Sequence, residues 1–432
     1  MSLLNSFKSI RGTLRVPGDK SISHRAAIFA SLVKGETTIH RFLQAEDCLR
    51  TLEAFEAFGV RTEIGEDHVK IKSDGMGSFN QPNRPIDLGN SGTTARLLSG
   101  VLAALPFRVD LTGDQSLSKR PMKRVTIPLE EMGANVHYYK TNGHLPMQIE
   151  GSKLQDMTYT MPVASAQVKS ALLLAGLTGE VDVTVIEKAV SRDHTERMME
   201  AYGIHLTKER QAITLKGKQQ LMVKDTMIPG DFSSAAYWIA AALITPGSEV
   251  TIEDVGLNPT RTGFVDVLKR MGATIHISEE RTVNNEPIGT ITARYSTLTS
   301  TTLMEEEVPT LIDEIPILAL IATQADGTTR LEHIEELKWK ETDRIQAIVQ
   351  ALEVLGATVK QTEQGMEITG KQKLQGGDIQ TFGDHRISMM AQIASLITED
   401  DVVLDDRTCV KVSYPDFFDD FSRLIGNDSS TV

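Results

Sequence analysis

Cysteine is scarce in this sequence of 432 residues: Cys48 and Cys409 are the only two. They form neither a disulfide framework nor a metal-ligand spacing, so a reducing compartment, the cytoplasm, is expected. Long apolar runs are missing too. None reaches the length of a membrane span, and the opening "MSLLNSFKSIRG" lacks the continuous apolar stretch of a signal peptide. Positive charge is short overall, with 45 Lys and Arg against 58 Asp and Glu and a formal net charge of −13. That balance argues against a general nucleic-acid binder, whose affinity comes largely from neutralising phosphates. It leaves room for a small anionic ligand, because local charge decides such binding.

What is present is ordinary for a globular chain: 40% hydrophobic and 24% charged residues, with length enough for two or more domains. The patterning is not ordinary. The stretch "PGDKSISHRAAIFASLVKGETTI" reads as a buried helix from Ser21 onward, stopped by Gly35, with Ile22, Ala26, Ile28, Phe29, Leu32 and Val33 leaving little polar face. Yet Lys20 and Arg25 sit at or in its first turn, where the helix dipole already places positive charge. Stability alone favours Asp or Glu there, so the helix end reads as waiting for an anion.

The pattern of small polar residues followed by an Ala/Leu-rich helix recurs around Ser91, Ser165, Ser233, Asp313 and His385, at intervals of 68 to 80 residues. Amphipathic segments ending in glycine also occur six times, at Gly59, Gly133, Gly203, Gly272, Gly356 and Gly426. Two concordant counts predict six units of strand, buried helix, strand, amphipathic helix, strand. The near-identical "VPGD" (Val16–Asp19) and "IPGD" (Ile228–Asp231) punctuate the series. They predict two three-unit domains, residues 17–229 and residues 1–16 plus 230–432, joined by two crossings that allow a hinge. Buried helices lying side by side point several N-termini one way, and such a group forms an anion site.

Each motif also has a plain structural reading. Lys20, Ser21 and Arg25 could be solvated cations and a cap. The "LGNSGTTAR" turn with Asn90, Gly92 and Thr93 could be only a tight turn; it is neither a Walker loop nor a GxGxxG fingerprint. Lys119, Arg120, Lys123 and Arg124 could be a solvated basic loop or an oxyanion clamp. Ser165 is an expected cap, whereas Gln167 has no capping role and is the better ligand candidate. "SRDHTERM" suggests a charge network with Arg192 facing the ligand; His194 and Glu196 lack a third metal ligand of fitting spacing. Asp313 and Glu314 could be helix-start partners. Lys340, Glu341 and Arg344 could be a solvated first turn, and Arg386 repeats the cation placement of Arg25. Together, cations near at least four buried-helix N-termini, joined by carboxylates, suggest a site for anionic substrates with acid/base groups.

"GDKSISHR", "LGNSGTTAR", "SAQVKSALL", "KETDRI" and "GDHR" resemble, in family order, the signature segments of the 5-enolpyruvylshikimate-3-phosphate synthases (3-phosphoshikimate 1-carboxyvinyltransferases). The resemblance implies a two-domain α/β enolpyruvyl transferase fold, each domain made of three βαβαββ units. It implies transfer of the enolpyruvyl (carboxyvinyl) group of phosphoenolpyruvate to the 5-hydroxyl of shikimate 3-phosphate with release of phosphate, by addition–elimination, in the shikimate pathway to chorismate and the aromatic amino acids. It implies no cofactor, no metal, a monomer, and glyphosate as an inhibitor. Carried over, Lys20, Ser21, Arg25, Ser165, Gln167, Arg192, Asp313 and Lys340 hold shikimate 3-phosphate. Lys20, Gly92, Arg120, Gln167, Arg344 and Arg386 hold phosphoenolpyruvate, and Asp313, Glu341 and Lys20 move protons.

Two departures stand out. Ala166 replaces a serine found in some members, and in "CVKVSYP" Val412 occupies the place of a phosphoenolpyruvate-contacting lysine, with Lys411 one position early. "RDHTE", "SAQVK" and "NPTR" resemble the class II members, which include glyphosate-tolerant enzymes, whereas Gly92 is typical of sensitive ones. Two alternatives are a UDP-N-acetylglucosamine enolpyruvyl transferase, which typically carries a cysteine in the loop matching "GDQSLSKRP", and a non-catalytic anion-binding repeat protein. The absence of that cysteine and the retention of Asp313 and Glu341 weigh against them.

Overall fold

A computed structural model describes residues 9–426; the expected place of residues 1–8 in the C-terminal domain lies outside the described residues. The chain divides into two units. One comprises Gly18–Ile228 together with Thr282–Glu286, and the other comprises the residues up to Pro17, then Pro229–Arg281 and Pro287 onward.

In the first unit, helices α1 (Lys20–Leu32), α3 (Gly92–Leu102) and α5 (Ala166–Gly179) are buried, and α2 (Glu46–Glu56), α4 (Lys123–Glu131) and α6 (His194–Ala201) are amphipathic. α1 exposes only its first two residues in part, because every later side chain is apolar, small or internally bonded. It ends at Leu32 with Val33 as cap, so Gly35 is not its stop. Gly35 is the second residue of the strand Lys34–His40, at φ +148° and against Val223, where a Cβ would collide.

Three four-stranded sheets complete this unit, and one pairing rule covers them. In each, two leading strands are parallel and two further strands add antiparallel; in the second and third sheets the parallel pair flanks the buried helix, α3 or α5. A parallel pair needs a crossover, and the buried helix supplies it. The first sheet takes its leading strand from far along the chain: Thr226–Met227 pairs in parallel with Ile39 and His40.

The second unit repeats the plan with buried α7 (Phe232–Ile244) and amphipathic α8 (Gly263–Arg270), then a short α9 (Val308–Leu311), buried α10 (Ile315–Ala322), α11 (Arg344–Val354), buried α12 (His385–Ala394) and amphipathic α13 (Phe417–Gly426). Here the remote strand is Arg11–Leu14, parallel to Glu249–Ile252. The last repeat contributes one parallel strand pair, Gly377–Ile379 with Val402–Leu404. After the amphipathic segments, Gly59, Gly133, Gly203, Gly272 and Gly356 all have positive φ, as helix-terminating glycines require. Each unit has its own apolar core. Within the first, α3 and α5 cross so closely that a Cβ on Gly100 would lie 2.1 Å from the Ala171 carbonyl oxygen.

Candidate active site

The first unit gathers its candidate residues at the N-termini of α1, α3 and α5. Asp19, Ser91 and Ser165 cap these helices, accepting from the N–H groups of Ile22, Thr94 and Val168. The ends adjoin: the Gln167 amide on α5 donates to Thr93 Oγ1 on α3 at 3.0 Å, and its oxygen accepts from Arg96 Nη1 at 2.7 Å. Arg120 donates to Asn90 Oδ1 at 2.5 Å and to the Asn90 carbonyl at 3.3 Å. Gly92 sits where the Arg96 and Arg120 guanidiniums converge; an added Cβ would stand 3.1 and 3.2 Å from their Nη1 atoms. Of the four cations in the basic loop, Arg120 alone is buried, while Lys119 and Lys123 are exposed.

Lys20 opens α1 and pairs with Asp47 of α2. Arg25 is buried and spends its donors inside the unit. It donates to Thr195 Oγ1 at 2.6 Å, Ser170 Oγ at 2.8 Å and the Ser21 carbonyl at 3.0 Å. Burial pulls its pKa down to about 10; Glu196 and Asp19 oppose the fall, and the like charge of Arg192 adds to it. The guanidinium stays charged at neutral pH, and Arg192 is near enough to repel it. Two cations near enough to repel each other favour an anion beside them.

In the second unit, Asp313 is not a helix cap: it lies in the 3₁₀ turn Ile312–Glu314 before α10. Three cations surround its carboxylate, Arg344 at 3.5 Å, Arg386 at 3.8 Å and Lys340 at 3.9 Å. Arg386 also donates to the Asp313 carbonyl at 3.1 Å. Arg344 is fully buried, donating to Asp384 at 2.7 Å and pairing with Glu341. Burial alone would lower its pKa, but Asp384 and Glu341, with Asp313, raise it above the usual arginine value. The same contest ends the same way at Arg386, where Asp313 leads the opposing groups. Beside them, Ser233 of α7 donates to Glu314 and receives from Arg261 at 2.7 Å.

The sequence model of EPSP synthase (3-phosphoshikimate 1-carboxyvinyltransferase) matches residues 4–421. The chain is 49% identical over 417 residues to the 3-phosphoshikimate 1-carboxyvinyltransferase of Oceanobacillus iheyensis, covering 96% of this chain and 97% of that one. It is 48% identical to that of Shouchella clausii over 98% and 99% of the two chains. The chain belongs to the EPSP synthase family.

A crystal structure of EPSP synthase from Acinetobacter baumannii superposes with a TM-score of 0.86 at 41% identity, over 96% of both chains. The enolpyruvyl transferase NikO of Streptomyces tendae shares the fold at a TM-score of 0.78 and 15% identity, covering 97% of this chain and 96% of that one. The α/β enolpyruvyl transferase fold of two three-unit domains is therefore that of this EPSP synthase family member.

Sequence reasoning missed several neighbours. Arg96 stands in a quoted motif, and its bond to Gln167 needs the α3–α5 pairing to be seen. Asp47 anchors Lys20 from a remote position without local signal, and Asp384, though it stands in the quoted "GDHR", gives no sign in sequence that it holds Arg344. His194 and Glu196 go to separate partners, Glu286 and Lys169, at 2.7 and 2.6 Å. Lys411 is exposed on the 3₁₀ turn Thr408–Val412.

Proposed function

We propose that this chain transfers the carboxyvinyl group of phosphoenolpyruvate to the 5-hydroxyl of shikimate 3-phosphate and releases phosphate; its relatives are named 3-phosphoshikimate 1-carboxyvinyltransferases. The residues proposed to bind shikimate 3-phosphate are Lys20, Ser21, Arg25, Ser165, Gln167, Arg192, Asp313 and Lys340. Gly92, Arg120, Gln167, Arg344 and Arg386 bind phosphoenolpyruvate, with Lys20 contributing to both. The observation that carries the reading is the Asp313 carboxylate ringed by Lys340, Arg344 and Arg386, in a chain that matches the family from end to end.

Asp313 accepts the proton of the 5-hydroxyl as its oxygen attacks C2 of phosphoenolpyruvate. Glu341, with Lys20, delivers a proton to the methylene carbon, giving a tetrahedral adduct. Loss of a methyl proton and of phosphate then restores the double bond. Cations offset the substrate charges throughout, and the carboxylates move protons.

We propose further that the enzyme works as a cytoplasmic monomer and that glyphosate occupies the phosphoenolpyruvate place. Two buried free cysteines suit a reducing compartment. Among the described residues no helix is long and apolar enough to cross a membrane.

The test is phosphate release from phosphoenolpyruvate, with shikimate 3-phosphate or UDP-N-acetylglucosamine as acceptor. Turnover with the first alone is expected; turnover with the second, or with neither, ends the reading. Sedimentation and glyphosate inhibition check the remaining points.

A further inference from the structure

Lys169 lies one turn into α5 and is 1% exposed, yet none of the proposed chemistry uses it. Its ammonium meets three acceptors: Glu196 Oε1 at 2.6 Å, Glu187 Oε2 at 3.1 Å and the Ser191 carbonyl at 3.4 Å. Glu187 follows the strand Val183–Ile186, and its other oxygen accepts from the Ser191 N–H at 3.1 Å and the Ser191 hydroxyl at 2.5 Å. Ser191 immediately precedes Arg192. Glu196 is in the first turn of α6, next to Thr195, the partner of Arg25. One buried ammonium thus ties the strand end, the residue before Arg192 and the turn that holds Arg25.

The charges alternate through this cluster: Glu187, Lys169, Glu196, Arg25. Glu196 supports the charged form of Arg25, and burial raises the pKa of Glu196 against the pull of Lys169. Its Oε2 has no hydrogen-bond partner among the described residues, while its Oε1 is held by Lys169 at 2.6 Å, and this cation favours the charged carboxylate against burial.

We infer that Lys169 is a positioning residue for shikimate 3-phosphate: it sets the 187–193 loop so that Arg192 meets the substrate phosphate beside Arg25, and it touches no substrate itself. This rests on the function proposed above. The loop is otherwise a poor holder of one geometry, since Lys188, Ala189 and Val190 are exposed.

Lys169→Met keeps the length and leaves two buried carboxylates without their cation. The KM for shikimate 3-phosphate is expected to rise at least about tenfold, while kcat at saturation and the KM for phosphoenolpyruvate stay within about threefold. Glu187→Gln keeps the shape and weakens one arm, with an expected rise of about threefold in the same KM. It serves alone if the lysine variant does not fold by circular dichroism. A residue of merely structural importance lowers stability and the amount of active enzyme without a selective change in KM. A KM for shikimate 3-phosphate within twofold of wild type in the folded variants, or a parallel change in all three constants, overturns the inference. If the wild-type chain does not consume shikimate 3-phosphate, the function reading has failed, which is a distinguishable result.

Discussion

At the scale of the residue, Asp313 and its three cations define what can be removed. Asp313→Asn keeps the shape and deletes the base. Turnover is expected to fall a hundredfold or more, while the dissociation constant of shikimate 3-phosphate moves less than about tenfold, or 1.4 kcal/mol. Single-turnover kinetics beside equilibrium titration measure both, and near-normal turnover would reduce Asp313 to a counter-ion. Gly92→Ala pushes a methyl toward the ends of Arg96 and Arg120, which are flexible side chains and give way by a few tenths of an ångström. The expected result is a severalfold rise in the KM of phosphoenolpyruvate and a larger loss for glyphosate, the longer ligand; steady-state inhibition kinetics compare them, and equal losses would remove Gly92 from the contact.

His24 gives a pH prediction. It is fully buried, and burial, then Lys20 and Arg25, hold its pKa well below the usual 6.5 against the pull of Asp19. The native state therefore binds fewer protons than the unfolded state, and stability drops as pH falls from about 6.5 toward the folded value, by about 1.4 kcal/mol for each unit of depression. Glu196, whose pKa is raised by burial, works in the opposite sense. Urea midpoints at pH 7.5 and 5.5 are expected to differ less in His24→Gln than in wild type; an unchanged difference would assign the pH dependence elsewhere.

At the scale of the element, the α3–α5 crossing is a close one. Gly100→Ala drives a methyl into the Ala171 carbonyl, backbone against backbone, and is expected to destabilise by about 1–3 kcal/mol or more, read from urea unfolding. The same elements show what was legible. Buried helices announced themselves because their polar faces are nearly absent, and the terminating glycines because positive φ suits few other residues. Gly35 was misread because a glycine just after a helix looks the same whether it ends the helix or admits Val223 beside a strand. The bond between Gln167 and Arg96 joins residues 71 apart, and no periodicity encodes it. Singly, the site motifs resembled caps and solvated turns, and several are caps: Ser165, Asp343 and Asp384 each accept a helix N–H. Within each unit, the placement of such motifs near one another comes from the sheet topology, which repeats but does not print itself in any one repeat.

At the scale of the whole molecule, an acidic chain concentrates cations at a few helix ends. A ligand bound there by the native state alone adds RT ln(1 + [L]/Kd), so shikimate 3-phosphate at a hundred times its Kd should stabilise the protein by about 2.7 kcal/mol. Denaturant titration with and without ligand checks this, and no shift at saturation would mean that the ligand does not bind the native fold. The remote strands carry a different consequence. Ile10 donates to Ser248, 238 residues further along, and among the described residues Arg11–Leu14 pairs only with the strand Glu249–Gly256. A ribosome adding about 5–20 residues per second releases that partner roughly 12–48 s after the first strand. The growing chain can finish the sheet that takes Thr226–Met227 before it reaches Pro229, but its earliest strand must wait through all of that work. The order of assembly is thus written into the connectivity: the stretch Gly18–Ile228 can fold first, and the strand Arg11–Leu14 folds only with residues that follow Pro229.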